Sequence, residues 1–95
     1  MTTMTYITAY ANILTIDTET VEETARVIIA DMETEEVKDM TRTEWNNIAE
    51  DSIMNLITLN GEELDAMYET TDGTKFLATV AKALTTALVK EAKKA

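Results

Sequence analysis

Ala49-Glu50-Asp51-Ser52-Ile53-Met54 is the stretch whose reading decides the fold. It follows the polar run Thr41-Arg42-Thr43-Glu44-Trp45-Asn46-Asn47 and precedes Leu56 and Ile57, which with Ile53 fall at helical spacing. The spacing predicts a helix that starts near Asp51 and Ser52 and buries Ile53, Leu56, Ile57 and Leu59. A serine at a helix start has two readings. Its hydroxyl accepts a first-turn N–H as a cap, worth roughly 1 kcal/mol, or it stands exposed as a site for covalent modification.

Outward from there, helical patterns dominate. The chain has 95 residues, no proline and two glycines, Gly61 and Gly73. One domain is expected at this length. Thr20-Val21-Glu22-Glu23 fits a capping box, and Val21, Ala25, Ile28, Ile29 and Met32 make one apolar face, so a helix is expected over about 20–32. Residues 33–43 lack a sustained apolar period and read as a long loop with one turn of helix, pinned by Val37 and Met40. Thr41 to Glu44 reads as a short turn that docks Trp45 and Ile48. Leu64 and Met67 extend the helix after Ser52 if Asn60-Gly61 does not stop it; Asn60-Gly61 and Asp72-Gly73 also allow a hairpin across 66–78. Residues 75–93 place Phe76, Leu77, Val80, Ala83, Leu84, Ala87 and Leu88 on one side of a closing helix.

The fold class expected is therefore all-α, a small antiparallel bundle of three or four helices over residues 17–95. Residues 1–16 form an N-terminal extension. Its Tyr6, Ile7, Tyr10, Ile13 and Leu14 sit at helical spacing, while its threonines and β-branched residues equally suit a strand.

Composition narrows the chemistry. There is no cysteine and no histidine, so thiolate chemistry and the commonest general base and metal ligand are missing. No apolar run approaches the roughly 20 residues that cross a bilayer, and a cytoplasmic protein is expected. The net charge is −10, with 17 acids and 3 bases in residues 1–74 against 1 acid and 5 bases in residues 75–95. The acidic body repels nucleic acid and anionic membranes and favours partners with basic surfaces.

Two metal patterns are weak. Asp31-x-Glu33-x-Glu35 begins like a calcium loop but has Glu36 where glycine is needed and Arg42 at the closing position. Glu35-Glu36-x-x-Asp39 and Glu62-x-x-Asp65 are similar to the paired motifs of all-α nucleotide pyrophosphohydrolases, where facing carboxylates hold magnesium. No metal-binding residue is assigned.

Three features in order resemble the acyl carrier protein family. Val21 to Ala30 is similar to its first helix, Asp51-Ser52-Ile53-Met54 to its attachment motif, and Thr79-Val80 to the opening of its last helix. Ser52 falls 31 residues after Val21, and Thr79 falls 27 after Ser52. The departures are Ala49 where the family has glycine, Ile53 for leucine, the Asn60-Gly61 interruption and no recognisable short third helix. The resemblance implies 4′-phosphopantetheine on Ser52, placed by Asp51, with acyl intermediates carried as thioesters and no catalysis by the chain itself. It implies as partners a phosphopantetheinyl transferase and acyl-transferring synthase enzymes with basic surfaces, met by Glu50, Asp51, Ile53, Met54, Glu62 and Glu63. The alternative from charge and length is a small acidic interaction protein, an inhibitor or DNA mimic that covers a basic protein surface. A magnesium-dependent pyrophosphohydrolase is the third reading.

Overall fold

The computed structural model describes residues 3–8, 10–57 and 61–94, and it begins with a β-hairpin. Strands β1 (Thr3–Ile7) and β2 (Ile13–Asp17) pair antiparallel, with Met4 opposite Ile16 and Tyr6 opposite Leu14. The period is two. Leu14 and Ile16 enter the core, Met4 and Tyr6 pack against it, and Ile7 and Ile13 are turned out at 65% and 70% exposure. The turn closes through Thr8 and Asn12. Thr8 N–H donates to the Asn12 carbonyl at 2.8 Å, and Asn12 N–H donates to Thr8 Oγ1 at 3.1 Å. Ala11 takes the left-handed conformation, φ 63°. The helical spacing of the tyrosines is thus not used, and the fold is mainly α with a small sheet rather than an all-α bundle.

Five α-helices follow among the described residues. Helix α1 (Thr18–Ala30) starts two residues before the expected entry, because Asp17 rather than Thr20 is its cap: Thr20 N–H donates to Asp17 Oδ1 at 2.8 Å. Helix α2 (Thr34–Asp39) is a short helix in the expected loop, held by buried Val37. Helix α3 (Arg42–Ser52) is the main departure from expectation. The Thr41 turn is a full capping box: Glu44 N–H donates to Thr41 Oγ1 at 3.2 Å, and Thr41 N–H donates to Glu44 Oε1 at 3.1 Å. Eleven residues of helix grow from it, burying Trp45 and Ala49. Ser52 therefore ends a helix instead of opening one. A 3-10 turn (Ile53–Asn55) tightens the chain after it and turns Ile53 into the core. Ile57 is also buried, while Leu59 and Asn60 lie outside the described residues.

Helix α4 (Gly61–Glu69) buries Met67, and α5 (Thr71–Ala92) begins at once. The alternative of a hairpin across 66–78 is not taken, because Asp72-Gly73 lies in the first turn of α5. Thr70 caps that turn, its Oγ1 accepting from Gly73 N–H at 3.0 Å. Thr79-Val80 sits inside α5 rather than at its start. Val80, Leu84 and Leu88 are fully buried, and α1, α3, α4 and β1 all pack on this helix. At ~33 Å long, α5 sets the long axis of a body 44 × 25 × 18 Å in extent. Among the described residues, no helix is long and apolar enough to cross a membrane.

Two expectations follow. A Cβ at Gly73 would collide with the Met67 carbonyl oxygen. Alanine there gains about 1 kcal/mol of helix propensity but overpacks a backbone contact, so Gly73→Ala is expected to lose about 1–2 kcal/mol net, read from the urea midpoint. The Asp17 carboxyl is held below its ordinary 3.8 by hydrogen bonds from the Thr20 side chain and then the Thr20 backbone. A depressed carboxyl stabilises fully above its unfolded-state value and loses that contribution as pH falls through the folded value. The stability gap between the wild type and Asp17→Asn is therefore expected to favour wild type more at neutral pH than at about pH 2.

Candidate functional site

The end of α3 is where the expected site residues gather. Glu50 and Asp51 lie on the last turn of α3 and are exposed. Ser52 is half-buried, and its side chain makes no capping hydrogen bond to the 3-10 turn after it. The capping reading of Ser52 is thus corrected, and so is its place at a helix start. A residue there meets the negative end of the helix dipole, beside two carboxylates.

Glu50, Asp51, Ile53, Tyr68, Leu77, Ala78 and Ala81 surround a cleft of about 390 Å³ between the end of α3, α4 and the first half of α5. Ser52 is not among the residues that line it. Ile53 is buried in its wall at 5% exposure, so it anchors the turn and does not face a partner as expected. Met54 is turned outward, and the Tyr68 hydroxyl donates to its sulfur at 3.7 Å. Tyr68 was not singled out by the sequence. It lies on an i, i+3/i+4 continuation of the Leu64 face, and that pattern reads equally as core. Glu50 also accepts from Asn46 Nδ2 at 3.0 Å, which fixes its direction one turn back along α3.

The other two expected partner residues separate. Glu62 is exposed, and Tyr10 of the hairpin turn donates to it at 3.4 Å. Glu63 is buried at 7% exposure and accepts from Asn12 Nδ2 at 3.1 Å. Glu63 is thus turned into the fold, where it clamps the hairpin turn onto the first turn of α4. Hydrogen-bonding a carboxylate there also uses the positive end of the α4 dipole.

Beyond the cleft, the acidic charge is spread widely. All but three of the eighteen carboxylates are exposed; the exceptions are Asp17, Glu63 and Glu91. Among the described residues, the ion pair is Lys94–Glu91 at 3.4 Å, between the last turn of α5 and the residues just after it. No three carboxylates among the described residues converge on a cation-sized site, so Glu35, Glu36 and Asp39 on α2 do not assemble one with Glu62 and Asp65 on α4. Neither family models, nor curated proteins, nor solved structures show a match to this chain.

The Asn12–Glu63 contact has a direct readout. Removing it with Asn12→Ala is expected to cost about 1 kcal/mol and to raise hydrogen exchange in residues 3–17 before the helices loosen.

Proposed function

We propose that the protein is a small acidic binding module that engages basic segments of other proteins through the end of α3. The observation that carries this reading is the exposed pair Tyr68 and Met54, with Tyr68 lining one cleft together with Glu50 and Asp51, which have no ion-pair partner among the described residues. An arginine fits such a place well. Its guanidinium pairs with carboxylates and stacks on a tyrosine face, while its stem lies on a thioether. An exposed aromatic anchor within a charged rim is the usual anatomy of a binding hot spot. The remaining carboxylates act at longer range. They steer a basic partner over about a Debye length, ~8 Å at physiological salt. A surface that otherwise holds nucleic-acid phosphates is one partner of this chemistry, which is the DNA-mimic form of the reading.

A short arginine-rich peptide is the test ligand. Titration by calorimetry is expected to show binding that weakens steeply with salt. The charge-removing pair Glu50→Gln/Asp51→Asn and the single Tyr68→Ala are each expected to weaken it about tenfold, roughly 1.4 kcal/mol. Removing the charges of Glu35 and Glu36 on α2 is expected to change it much less. Equal effects from both acidic pairs, or indifference to Tyr68→Ala, refute a site at the end of α3.

The carrier reading keeps one support, the partial exposure of Ser52. Against it stands the physical setting: a phosphodiester anion would sit at the negative end of the α3 dipole, next to Glu50 and Asp51. Incubation with coenzyme A and a phosphopantetheinyl transferase distinguishes the two. A gain of about 340 Da, of the kind a covalent arm gives and absent in Ser52→Ala, would establish the carrier instead.

A further inference from the structure

A second groove lies on the opposite kind of surface. It measures about 440 Å³ and runs between α1, α5 and β1. Met4, Val21, Ala83 and Ala87 give it an apolar lining. Arg26, Lys82, Lys90 and Lys94 stand along it. These are four of the eight cations in the chain, whereas only Glu22 and Glu91 of its eighteen acids reach the groove. Local charge is thus positive on a body of net charge −10. Lys94 is neutralised by Glu91, but among the described residues Arg26, Lys82 and Lys90 have no ion-pair partner.

Bundle packing does not require this arrangement. Three cations gathered without ion-pair partners among the described residues repel one another, while most of the acids lie elsewhere on the surface. Small side chains at Ala83 and Ala87 hold the groove open where larger ones would close it onto α1. The residues of α5 that border it, from Thr79 to Glu91, extend over ~18 Å of helix. Its volume lies in the ~300–1,000 Å³ range of small-molecule sites.

We infer that the α1–α5 groove binds a single-chain amphiphile with one anionic head group, non-covalently, the chain lying on Met4, Val21, Ala83 and Ala87 and the head group held by Lys82, Lys90 or Arg26. Charge complementarity sets the head group, since a cationic amphiphile meets three unpaired cations and a neutral one leaves them unused. Glu22 and Glu91 at the groove disfavour a polyanion. The source is a free amphiphile rather than a membrane surface, because the acidic body as a whole is repelled by anionic bilayers. This site shares no residue with the cleft at the end of α3, so its test is independent of the binding-module reading.

Calorimetric titration of the whole chain with dodecanoate, below its micellar range, tests the assignment. Dodecyl maltoside and dodecyltrimethylammonium are the neutral and cationic comparisons. Saturable one-to-one binding of dodecanoate is expected, with both comparisons at least tenfold weaker. Lys82→Gln/Lys90→Gln, two surface changes, is expected to weaken binding about tenfold with unchanged circular dichroism. Ala87→Phe, which fills the groove, is expected to weaken it further. If Ala87→Phe does not fold, the lysine pair and the head-group series still decide. The inference is overturned by binding that ignores the head group, by a lysine pair that leaves affinity unchanged, by no saturable binding, or by attachment to phosphatidylglycerol vesicles in place of monomer binding.

Discussion

Burial of one stripe of α5 is the interaction on which the rest of the molecule depends. Val80, Leu84 and Leu88 lose all contact with water, and Phe76, Leu77 and Ala81 nearly all. Each large apolar side chain so buried contributes about 1.5–3 kcal/mol, which is large against the net stability of a small domain, ~5–15 kcal/mol. Every other layer is arranged about this helix. Helices α1, α3 and α4 pack on it, and the hairpin reaches it near its start, where the Tyr6 and Phe76 rings lie 5.4 Å apart. The polar exception in the stripe is Thr85, whose hydroxyl donates to the Ala81 carbonyl at 2.8 Å and lies 3.2 Å from Asn46 Oδ1. It gives α5 a polar contact to α3 without leaving a buried hydroxyl unsatisfied.

Because α5 is central, it divides the surface into unlike parts. Where α3 ends against its first half, carboxylates and an aromatic–thioether pair are presented together. Along its second half and just beyond its end, Lys82, Lys90 and Lys94 border a groove lined by Ala83 and Ala87. The same helix thus presents two surfaces of opposite sign, and short-range geometry rather than net charge separates them. Net charge describes the far field and the encounter with partners. It does not describe what a side chain meets at contact distance, where Lys82 or Lys90 counts for more than the sixteen carboxylates outside the groove.

The hairpin and Ser52 show why periodicity alone misled at two places. Residues 3–17 fit a helical spacing and a strand spacing at once, and nothing marked the turn, because Ala11 rather than glycine or asparagine takes the left-handed position. What settles the strand is long-range: Asn12 bonds to Glu63, and Tyr6 reaches Thr70 at 3.3 Å. At Ser52, a serine after an acid and before an aliphatic looks like a helix entry, yet the stronger signal lay upstream. Thr41 and Glu44 form a reciprocal box, and Trp45 and Ala49 continue at helical spacing toward Ile53, so the helix was already under way. A cap is a local preference of about 1 kcal/mol, and the burial of Trp45 and Ala49 outweighs it.

By itself the sequence determined the mainly helical character, the face of α5, the apolar face of α1 and the strongly acidic surface. These follow from side-chain spacing and charge, which are local quantities. Only the tertiary structure decided the N-terminal hairpin, the full length of α3, the place of Ser52 at its end, the burial of Glu63 and Ile53, and the emergence of Tyr68 beside Met54. It also decided that four of eight cations share one groove. Each of those depends on which residues distant in the chain come together, and distance in space is set by the packing of whole elements, not by the pattern within any one of them.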